Sequence, residues 1–323
     1  MSFKLIPDNV SFNFVKQSYF CFIISVAIII GSFVSLYSKG LNYGIDFAGG
    51  ILVELRTDEE VPISKFREIL NDRDFKGAII QNFGSKKDVI IRIRGQENNN
   101  QAEVVNKLKT SLNDNIKAKI DYRKTDYVGP QVGSELKQSA IYAFFIALAA
   151  MLIYIWLRFE WQYGLGAIVA LLHDGVAVIG FFSITGLEFN LTSVAAVLTV
   201  IGYSINDTVV IYDRVRENLA RYKDFVLKNI INKSVNETLS RTIITAGTTI
   251  LALAALIILG GSVLESFSWG MMFGVIIGTY SSIYVASSVL LFMGLARQED
   301  ETEEDELSRF NKKYDQQNSK GKK

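Results

Sequence analysis

Four stretches of the chain run for about 20 residues or more without a charged side chain, and they constrain its fold more than any other feature. A helix of roughly 20 apolar residues is long enough to cross the hydrocarbon core of a bilayer. Such stretches exclude a soluble enzyme, a disordered chain and a disulfide scaffold, and the single cysteine, Cys21, leaves no internal disulfide possible. The 34 basic and 33 acidic residues nearly cancel, so charge gives no indication of nucleic-acid binding. The four stretches are 17–38, 138–157, 242–264 and 266–296.

The distribution of apolar residues predicts a polytopic α-helical membrane protein with six transmembrane helices. We expect the first to be an uncleaved anchor, because its apolar region is longer than that of a signal peptide and no clear cleavage site follows it. The sixth is longer than a perpendicular span requires, which indicates that it is tilted or protrudes. The predicted spans are 18–37, 138–157, 163–185, 190–212, 242–261 and 267–295.

The lysine and arginine residues between the spans predict the orientation, because cytoplasmic loops are enriched in them. Segment 213–241 is strongly basic and the loop after the second span contains Arg158, whereas the loops on the other side contain the acids Glu188 and Glu265. We therefore expect both termini and the basic loop in the cytoplasm, and the long insert 38–137 in the periplasm. The predicted cytoplasmic termini are 1–17 and a disordered tail, 296–323.

The insert 38–137 is long enough to form a soluble domain. Its alternating apolar positions and helical apolar faces predict four strands and two helices in the order βαββαβ, which is that of a ferredoxin-like α+β fold. The segment has no histidine, no cysteine and no phosphate-binding loop, so recognition or gating is a better hypothesis than catalysis. The predicted strands are 43–57, 78–83, 88–94 and 116–122, and the predicted helices are 63–70 and 101–112.

Two glycine-containing motifs flank this insert. Residues 44–50, Gly-Ile-Asp-Phe-Ala-Gly-Gly, allow backbone conformations that other residues avoid, and on composition alone they indicate a bend between helix and strand. The second motif contains Gly129, Pro130 and Gly133, directly before the second span. We predict that these three residues form a shaped hinge.

Asp207 lies inside the fourth predicted span, about 9 Å along a helix from Asp213. A carboxylate in the membrane costs about 2.5–3.5 kcal/mol on insertion scales, and it usually lies in a transport pathway or pairs with a cation. Arg241 lies at the cytoplasmic end of the fifth predicted span, at a depth compatible with pairing with Asp207. A titratable acid beside a fixed cation predicts a proton relay. The alternatives are a carboxylate that reaches water at the helix end and an arginine that snorkels to the interface.

Two further residues are candidates for supporting this relay. Asp174 in the third span shares a helical face with small residues, so we expect it to point towards closely packed helices. Asn206 directly precedes Asp207. The single histidine, His173, cannot form a metal site alone, and no metal site is predicted.

Two stripes of polar or small residues predict how the last two spans pack. Threonines follow Arg241 at helical spacing, so we expect a polar stripe that points into the bundle. Small residues recur at every fourth position in the sixth span and predict close helix packing. The threonines are Thr245, Thr248 and Thr249, and the small residues are Gly270, Gly274, Gly278, Ser282 and Ala286.

The sequence lacks the motifs of a nucleotide-binding P-loop, a zinc protease and a serine hydrolase. We therefore predict a protein that is not an enzyme and has no cofactor. Its energy would come from a partner or from the membrane potential, which is worth about 2.3 kcal/mol per charge per 100 mV.

In their order along the chain, these motifs resemble the SecF family, the smaller half of the bacterial SecDF protein-export complex within the resistance-nodulation-division superfamily. The resemblance extends from the first span to the sixth and includes 44–50 and 128–133. Its most distinctive parts are 202–210, Gly-Tyr-Ser-Ile-Asn-Asp-Thr-Val-Val, together with 213–218, Asp-Arg-Val-Arg-Glu-Asn, and 236–242, Asn-Glu-Thr-Leu-Ser-Arg-Thr.

The resemblance implies a location in the bacterial inner membrane, a pseudo-symmetric partner, SecD, and association with the SecYEG channel, with YajC or YidC as further candidates. It implies that proton flow drives a periplasmic domain to move an unfolded exported polypeptide. In the family an acid of the fourth span and an arginine of the fifth carry proton coupling, and these correspond here to Asp207 and Arg241. Glu237 stands where the family pattern leads us to expect glutamine, and it competes as a candidate partner of Arg241.

Two other functions remain open at this point. The first is a stand-alone proton-coupled efflux transporter of the same superfamily, which would act as a dimer because this chain has half of the usual spans and inserts. The second is a scaffold that only stabilises a channel, in which Asp207 and Arg241 would be structural.

Overall fold

The computed structural model of the chain describes residues 12–71, 75, 77–83, 85–93, 101–223 and 225–293. Six helices in this part are long and apolar enough to cross a membrane, which confirms the predicted polytopic fold. The predicted tail 296–323 and residues 1–11 of the predicted N-terminal segment lie outside the described residues. In chain order the elements are α1 (Phe14–Ser38), β1 (Asn42–Tyr43), α2 (Ile45–Ala48), β2 (Gly50–Thr57), α3 (Ile63–Asn71), β3 (Ile79–Phe83), β4 (Ser85–Ile93), α4 (Gln101–Asn115), β5 (Ile120–Val128), α5 (Pro130–Arg158), α6 (Trp161–Thr185), β6 (Glu188–Phe189), α7 (Leu191–Arg221), α8 (Leu227–Leu259), α9 (Gly261–Ser281), a π-helical turn (Ser282–Ala286) and α10 (Ser287–Met293).

The segment predicted as a basic loop, 213–241, is instead a helical hairpin, because α7 and α8 extend towards each other and leave only 222–226 as their connection. The extensions are stable as helices since their facing sides pack together, and Asn218 Nδ2 donates to Ser234 Oγ at 2.9 Å across them. Hydropathy marks where a helix leaves the apolar layer, not where the helix ends. The buried apolar residues of the hairpin include Val215, Ile230, Ile231, Val235 and Leu239.

Helices α6, α7 and α9 form the centre of the bundle, whereas α1, α5 and α8 expose most of their apolar surface. The glycine stripe of α9 lies against α6 and α7. A Cβ atom on Gly274 would lie 2.0 Å from Val200 Cγ2, so the approach of α9 to α7 requires glycine at this position. The neighbouring glycines, Gly270 and Gly278, have Phe182 and Ser204 as their nearest contacts.

The insert forms a four-stranded antiparallel sheet of order β3-β4-β2-β5, and this order confirms the predicted ferredoxin-like α+β domain. Helices α3 and α4 cover one face of the sheet. The first strand begins at Gly50 rather than at residue 43, because Gly49 and Gly50 have φ angles of 68° and 133° that separate it from α2. The last strand is Ile120–Val128 rather than 116–122, and it leads directly to α5. The buried core residues include Val53, Leu55, Phe66, Leu70, Val89, Ile91, Leu108 and Leu112.

The two ends of the bundle hold different segments. At one end, β1 pairs in parallel with β6 in the connection between α6 and α7, so the insert is anchored there. At the other end, Asn236 Oδ1 accepts from the Phe12 N–H and Asn232 Oδ1 accepts from the Phe14 N–H, both at 2.8 Å. These bonds hold the start of α1 against the α7–α8 hairpin. The soluble domain and the basic hairpin therefore lie at opposite ends.

Candidate intramembrane site

Asp207 lies on the inner face of α7, where the residue is 2% exposed. Its Oδ2 atom is buried and has no hydrogen-bond partner within the part of the chain that the structure describes. Ser204, almost one turn earlier, and Thr208, the next residue, are buried as well. A buried carboxylate oxygen without a partner is energetically costly and rare in folded proteins. The position is therefore typical of a functional carboxylate rather than of a packing residue.

Arg241 lies near this carboxylate but does not bind it directly. The residue is exposed on α8, and neither a hydrogen bond nor an ion pair joins it to Asp207 among the described residues, although its charge acts on that carboxylate through space. Asn206 is exposed on the outer side of α7. Of Asp207, Arg241 and Asn206, the structure thus places the first inside the bundle and the other two on its surface.

The predicted inward polar stripe of α8 does not point into the bundle of this chain. Thr248 is exposed, and Thr245 and Thr249 are half-buried. Their hydroxyls donate to carbonyl oxygens of the preceding turn of the same helix, at 2.9–3.0 Å. Because each hydroxyl is satisfied within its own helix, the stripe needs no partner in the core. The inner face of α8 is formed instead by Thr238, Thr242, Ala246 and Leu253.

Glu237 does not compete for Arg241. Its carboxylate accepts from Arg214 Nε at 2.7 Å and from Asn218 Nδ2 at 2.7 Å, and it lies 3.0 Å from Lys233 Nζ. The hypothesis of a Glu237–Arg241 pair is therefore wrong. The reason is geometric, because residue 237 faces α7 within the hairpin whereas residue 241, one turn further, is turned to the surface.

Asp174 occupies the centre of the most extensive buried polar cluster among the described residues. It is 0% exposed, and its Oδ2 atom accepts from Ser204 Oγ at 2.5 Å and from Ser281 Oγ at 2.7 Å. His173 Nδ1 lies 3.0 Å from the other carboxylate oxygen. This one carboxylate therefore ties together α6, α7 and α9, the three central helices.

The cluster continues into the π-helical turn after Ser281. Ser282 Oγ lies 2.8 Å from Thr208 Oγ1 and donates to the Ser204 carbonyl at 3.2 Å. π-helical turns are rare and frequently occur at functional sites. Through Ser204 and Thr208, which flank Asp207 on α7, the hydroxyl groups connect the neighbourhoods of the two buried carboxylates.

Sequence reasoning identified Asp174 and Asp207 but missed the serine and threonine residues between them. Hydroxyl residues in apolar helices commonly bond to their own backbone, so they gave no distinctive signal. The adjacent pair Ser281-Ser282 in an otherwise apolar span was the available indication.

Comparison with known proteins identifies the family. The family model "Protein export membrane protein SecD/SecF, C-terminal" matches residues 107–296, and the model "SecD/SecF GG Motif" matches 34–61. The protein translocase subunit SecF of Rickettsia bellii is 45% identical over 287 residues, which are 89% of this chain and 95% of the relative. The chain belongs to the SecF family. SecF of Rickettsia prowazekii is similarly close, with 44% identity over 289 residues.

Two solved structures agree with this membership. The crystal structure of SecDF, a translocon-associated membrane protein from Thermus thermophilus, matches with a TM-score of 0.81 and 33% identity over 90% of this chain. SecDF in a super-membrane-facing form matches with a TM-score of 0.67 and 32% identity over 94%. The chain covers only 39% and 41% of those two SecDF chains.

The glycine motif of the SecF family connects the soluble domain to the bundle. The Gly44 N–H donates to the Phe189 carbonyl at 2.9 Å, and Asp46 Oδ2 accepts from the Leu191 N–H, the first residue of α7, at 2.9 Å. The motif is thus more than a bend, since it binds the start of the helix that contains Asp207.

The three predicted hinge residues begin α5. Gly129 is the N-cap residue and Pro130 is the first residue of the helix, where proline is favoured. A Cβ atom on Gly133 would lie 3.2 Å from the Gly49 main-chain nitrogen, so this glycine allows α5 to approach the backbone that follows α2 closely. A hinge therefore remains a prediction for Gly129, the residue that separates β5 from α5.

Proposed function

We propose that the chain is the SecF subunit that, together with SecD, uses the proton motive force to promote late steps of protein export through the SecYEG channel. Asp207 and Arg241 form this chain's part of the proton relay, and Asp174 and Asn206 support it. The unfolded exported polypeptide is the cargo, and YajC or YidC are further candidate partners.

The single observation that supports the relay most strongly is the buried, unpartnered carboxylate oxygen of Asp207 in the middle of α7. Such a group fits a site that changes protonation, because a permanently paired structural acid would have its hydrogen bonds filled. Arg241 acts on it from the adjacent helix without direct contact. A fixed positive charge that is not bound directly to the carboxylate would leave it free to exchange a proton.

The exposed polar residues of α7 and α8 support a membrane partner. Asn206 lies on the surface at the depth of Asp207, and a polar side chain at such a depth is costly when it faces lipid. A protein surface that covers Asn206 and Arg241 removes this cost. Because the matching SecDF chains are more than twice as long as the matched part, their remaining half provides a partner of suitable kind, SecD.

The arrangement of charges supports the orientation. The basic α7–α8 hairpin and the start of α1 lie at one end of the bundle, and the soluble domain lies at the other. By the enrichment of lysine and arginine on the cytoplasmic side, the hairpin and both termini are cytoplasmic, and the domain is periplasmic in the bacterial inner membrane.

Export into membrane vesicles that contain the complex with SecD tests the proposal. With an imposed proton gradient, Asp207→Asn should abolish the gradient-dependent part of export while insertion and binding to SecD persist. The matched control is Asp213→Asn on the same helix, because the Asp213 carboxylate is 42% exposed and pairs with Arg158 at 3.0 Å. The control should export normally.

Normal gradient-dependent export by Asp207→Asn would refute the relay. Co-purification distinguishes the efflux alternative, since a stand-alone transporter would purify as a dimer of this chain and extrude small molecules without SecD. A scaffold would support export equally well with and without the gradient.

A further inference from the structure

A second contact between the soluble domain and the bundle consists of a buried ion pair. Arg92 in β4 of the domain donates to Glu188 in β6, the connection between α6 and α7. Arg92 is 5% exposed, and the side chain of Glu188 is 17% exposed. Most ion pairs at protein surfaces contribute little, whereas removing one partner of a buried pair leaves an uncompensated charge. This pair is therefore unlike the other ion pairs of the domain, such as Lys65–Glu68, whose side chains are 47% and 66% exposed.

The surroundings of the pair are shaped to hold it. A Cβ atom on Gly44 would lie 2.4 Å from Glu188 Oε1, so a side chain here would have to displace the glutamate carboxylate. The φ angle of Gly44 is −68°, which any residue can adopt, so the requirement for glycine is purely steric. Arg92 Nε and Nη1 are buried without a hydrogen-bond partner among the described residues, which leaves Glu188 as the group that this arginine binds.

Glu188 is also fixed to the helix that contains Asp207. The Ser193 hydroxyl in the first turn of α7 donates to the Glu188 carbonyl at 2.8 Å. Asn190 caps the same turn by accepting from the Ser193 N–H at 3.0 Å. A displacement of α7 along its axis would therefore move Glu188 with it.

The space beside the pair allows such a movement. A cavity of about 450 Å³ lies between the helix-free face of the sheet and the α6–α7 connection. Its lining includes Asp46, Glu54, Lys124, Asp126 and Glu188. Because this cavity is open and lined by both charged and apolar residues, the domain and the α6–α7 connection are not tightly packed against each other here, which leaves room for the domain to shift.

We propose that Arg92 and Glu188 are the coupling contact that transmits the movement of α7 to the soluble domain. This inference rests on the proposed proton-driven function and deepens it. Both are positioning residues, since they act on the exported polypeptide and on the proton only through the domain and through α7.

The first test compares single variants in the SecDF complex in vesicles. Arg92→Gln should lower gradient-dependent export about tenfold, within the range for residues that carry coupling. Gly44→Ala should have the same effect, because its methyl group displaces Glu188. The matched control is Gly31→Ala in α1, since nothing lies within 4 Å of its Cβ position. Lys65→Gln, which removes the exposed ion pair, is the second control.

The second test replaces the ion pair by a covalent bridge, so that the connection between the domain and the α6–α7 segment is restored without the two charges. In the double variant Arg92→Cys with Glu188→Cys, a short, cleavable crosslinker that reacts with both thiols should restore gradient-dependent export. Cleavage of the crosslink should abolish export again. The natural cysteine, Cys21, is buried in α1 and does not take part. This test remains informative when Arg92→Gln lowers the stability of the domain, because restoration depends on the bridge.

Three outcomes decide the inference. Export restored by the bridge supports it. Full export by Arg92→Gln and Gly44→Ala, or a bridged variant that stays inactive, would overturn it. Failure of the proposed function is distinguishable, because Asp207→Asn would then export normally, whereas failure of the coupling contact alone leaves Asp207→Asn inactive.

Discussion

Replacement of Gly274 by alanine should destabilise the bundle, although alanine is the better helix former. A Cβ atom at this position would lie 2.0 Å from Val200 Cγ2 and 2.7 Å from Val200 Cγ1. Optimal carbon–carbon contacts are about 3.5–4.0 Å, so α7 and α9 must separate or Val200 must leave its rotamer. Overpacking of this kind costs about 1–3 kcal/mol, and the gain in helix propensity, about 1 kcal/mol, offsets only part of it. We expect a net loss of up to about 2 kcal/mol in the free energy of unfolding.

A double-mutant cycle shows whether the loss arises at this contact. Val200→Ala removes both of the methyl groups that would clash, so the double variant should lose about 1–2 kcal/mol less than the sum of the two single losses. The measurement is a denaturant titration of the protein in mixed micelles. Gly247→Ala on α8 is the control, because nothing lies within 4 Å of its Cβ position. Gly274→Leu should weaken packing further than Gly274→Ala.

Two results would refute this reasoning. Additive losses in the cycle would show that Gly274 and Val200 do not share a contact. A Gly274→Ala variant as stable as Gly247→Ala would show that the stripe faces lipid rather than α7.

Three further expectations concern the polar residues. In a cycle of Asp207→Asn and Arg241→Ala, the double variant should export little worse than either single variant because the two act as one unit, and export losses that multiply would contradict this. Ser281→Ala should cost about 1–3 kcal/mol of unfolding free energy by removing a hydrogen bond to Asp174, and unchanged stability would exclude that bond. Glu237→Gln should change stability by less than about 1 kcal/mol and leave gradient-dependent export unaltered, whereas reduced export would return Glu237 to the relay.

The sequence by itself determined the number of spans and the type of the soluble domain. Both follow from local periodicity, because about 20 apolar residues suffice to cross a bilayer and alternating residues suffice to indicate a strand. It also identified Asp207 and Asp174, since an ionisable residue within an apolar stretch is unusual wherever the chain folds. It also predicted the small-residue stripe at Gly270, Gly274 and Gly278, because small residues at every fourth position lie on one face of a helix.

Only the tertiary structure decided which faces meet. The threonine stripe of α8 and the serines at 204, 281 and 282 have similar chemistry, yet the serines form the buried cluster and the threonines lie towards the surface. The sequence likewise indicated Arg241 as a candidate partner of Glu237, whereas the structure pairs Glu237 with Arg214 and Lys233.

No local sequence pattern predicts the ion pair of Arg92 and Glu188, because the two residues are 96 positions apart and each lies in an ordinary sequence context. A helix or strand forms from neighbours along the chain, and its rotation against other elements depends on the packing of all of them together. Sequence periodicity therefore determines which elements exist, and three-dimensional packing decides which of their side chains meet, which is where coupling and proton exchange take place.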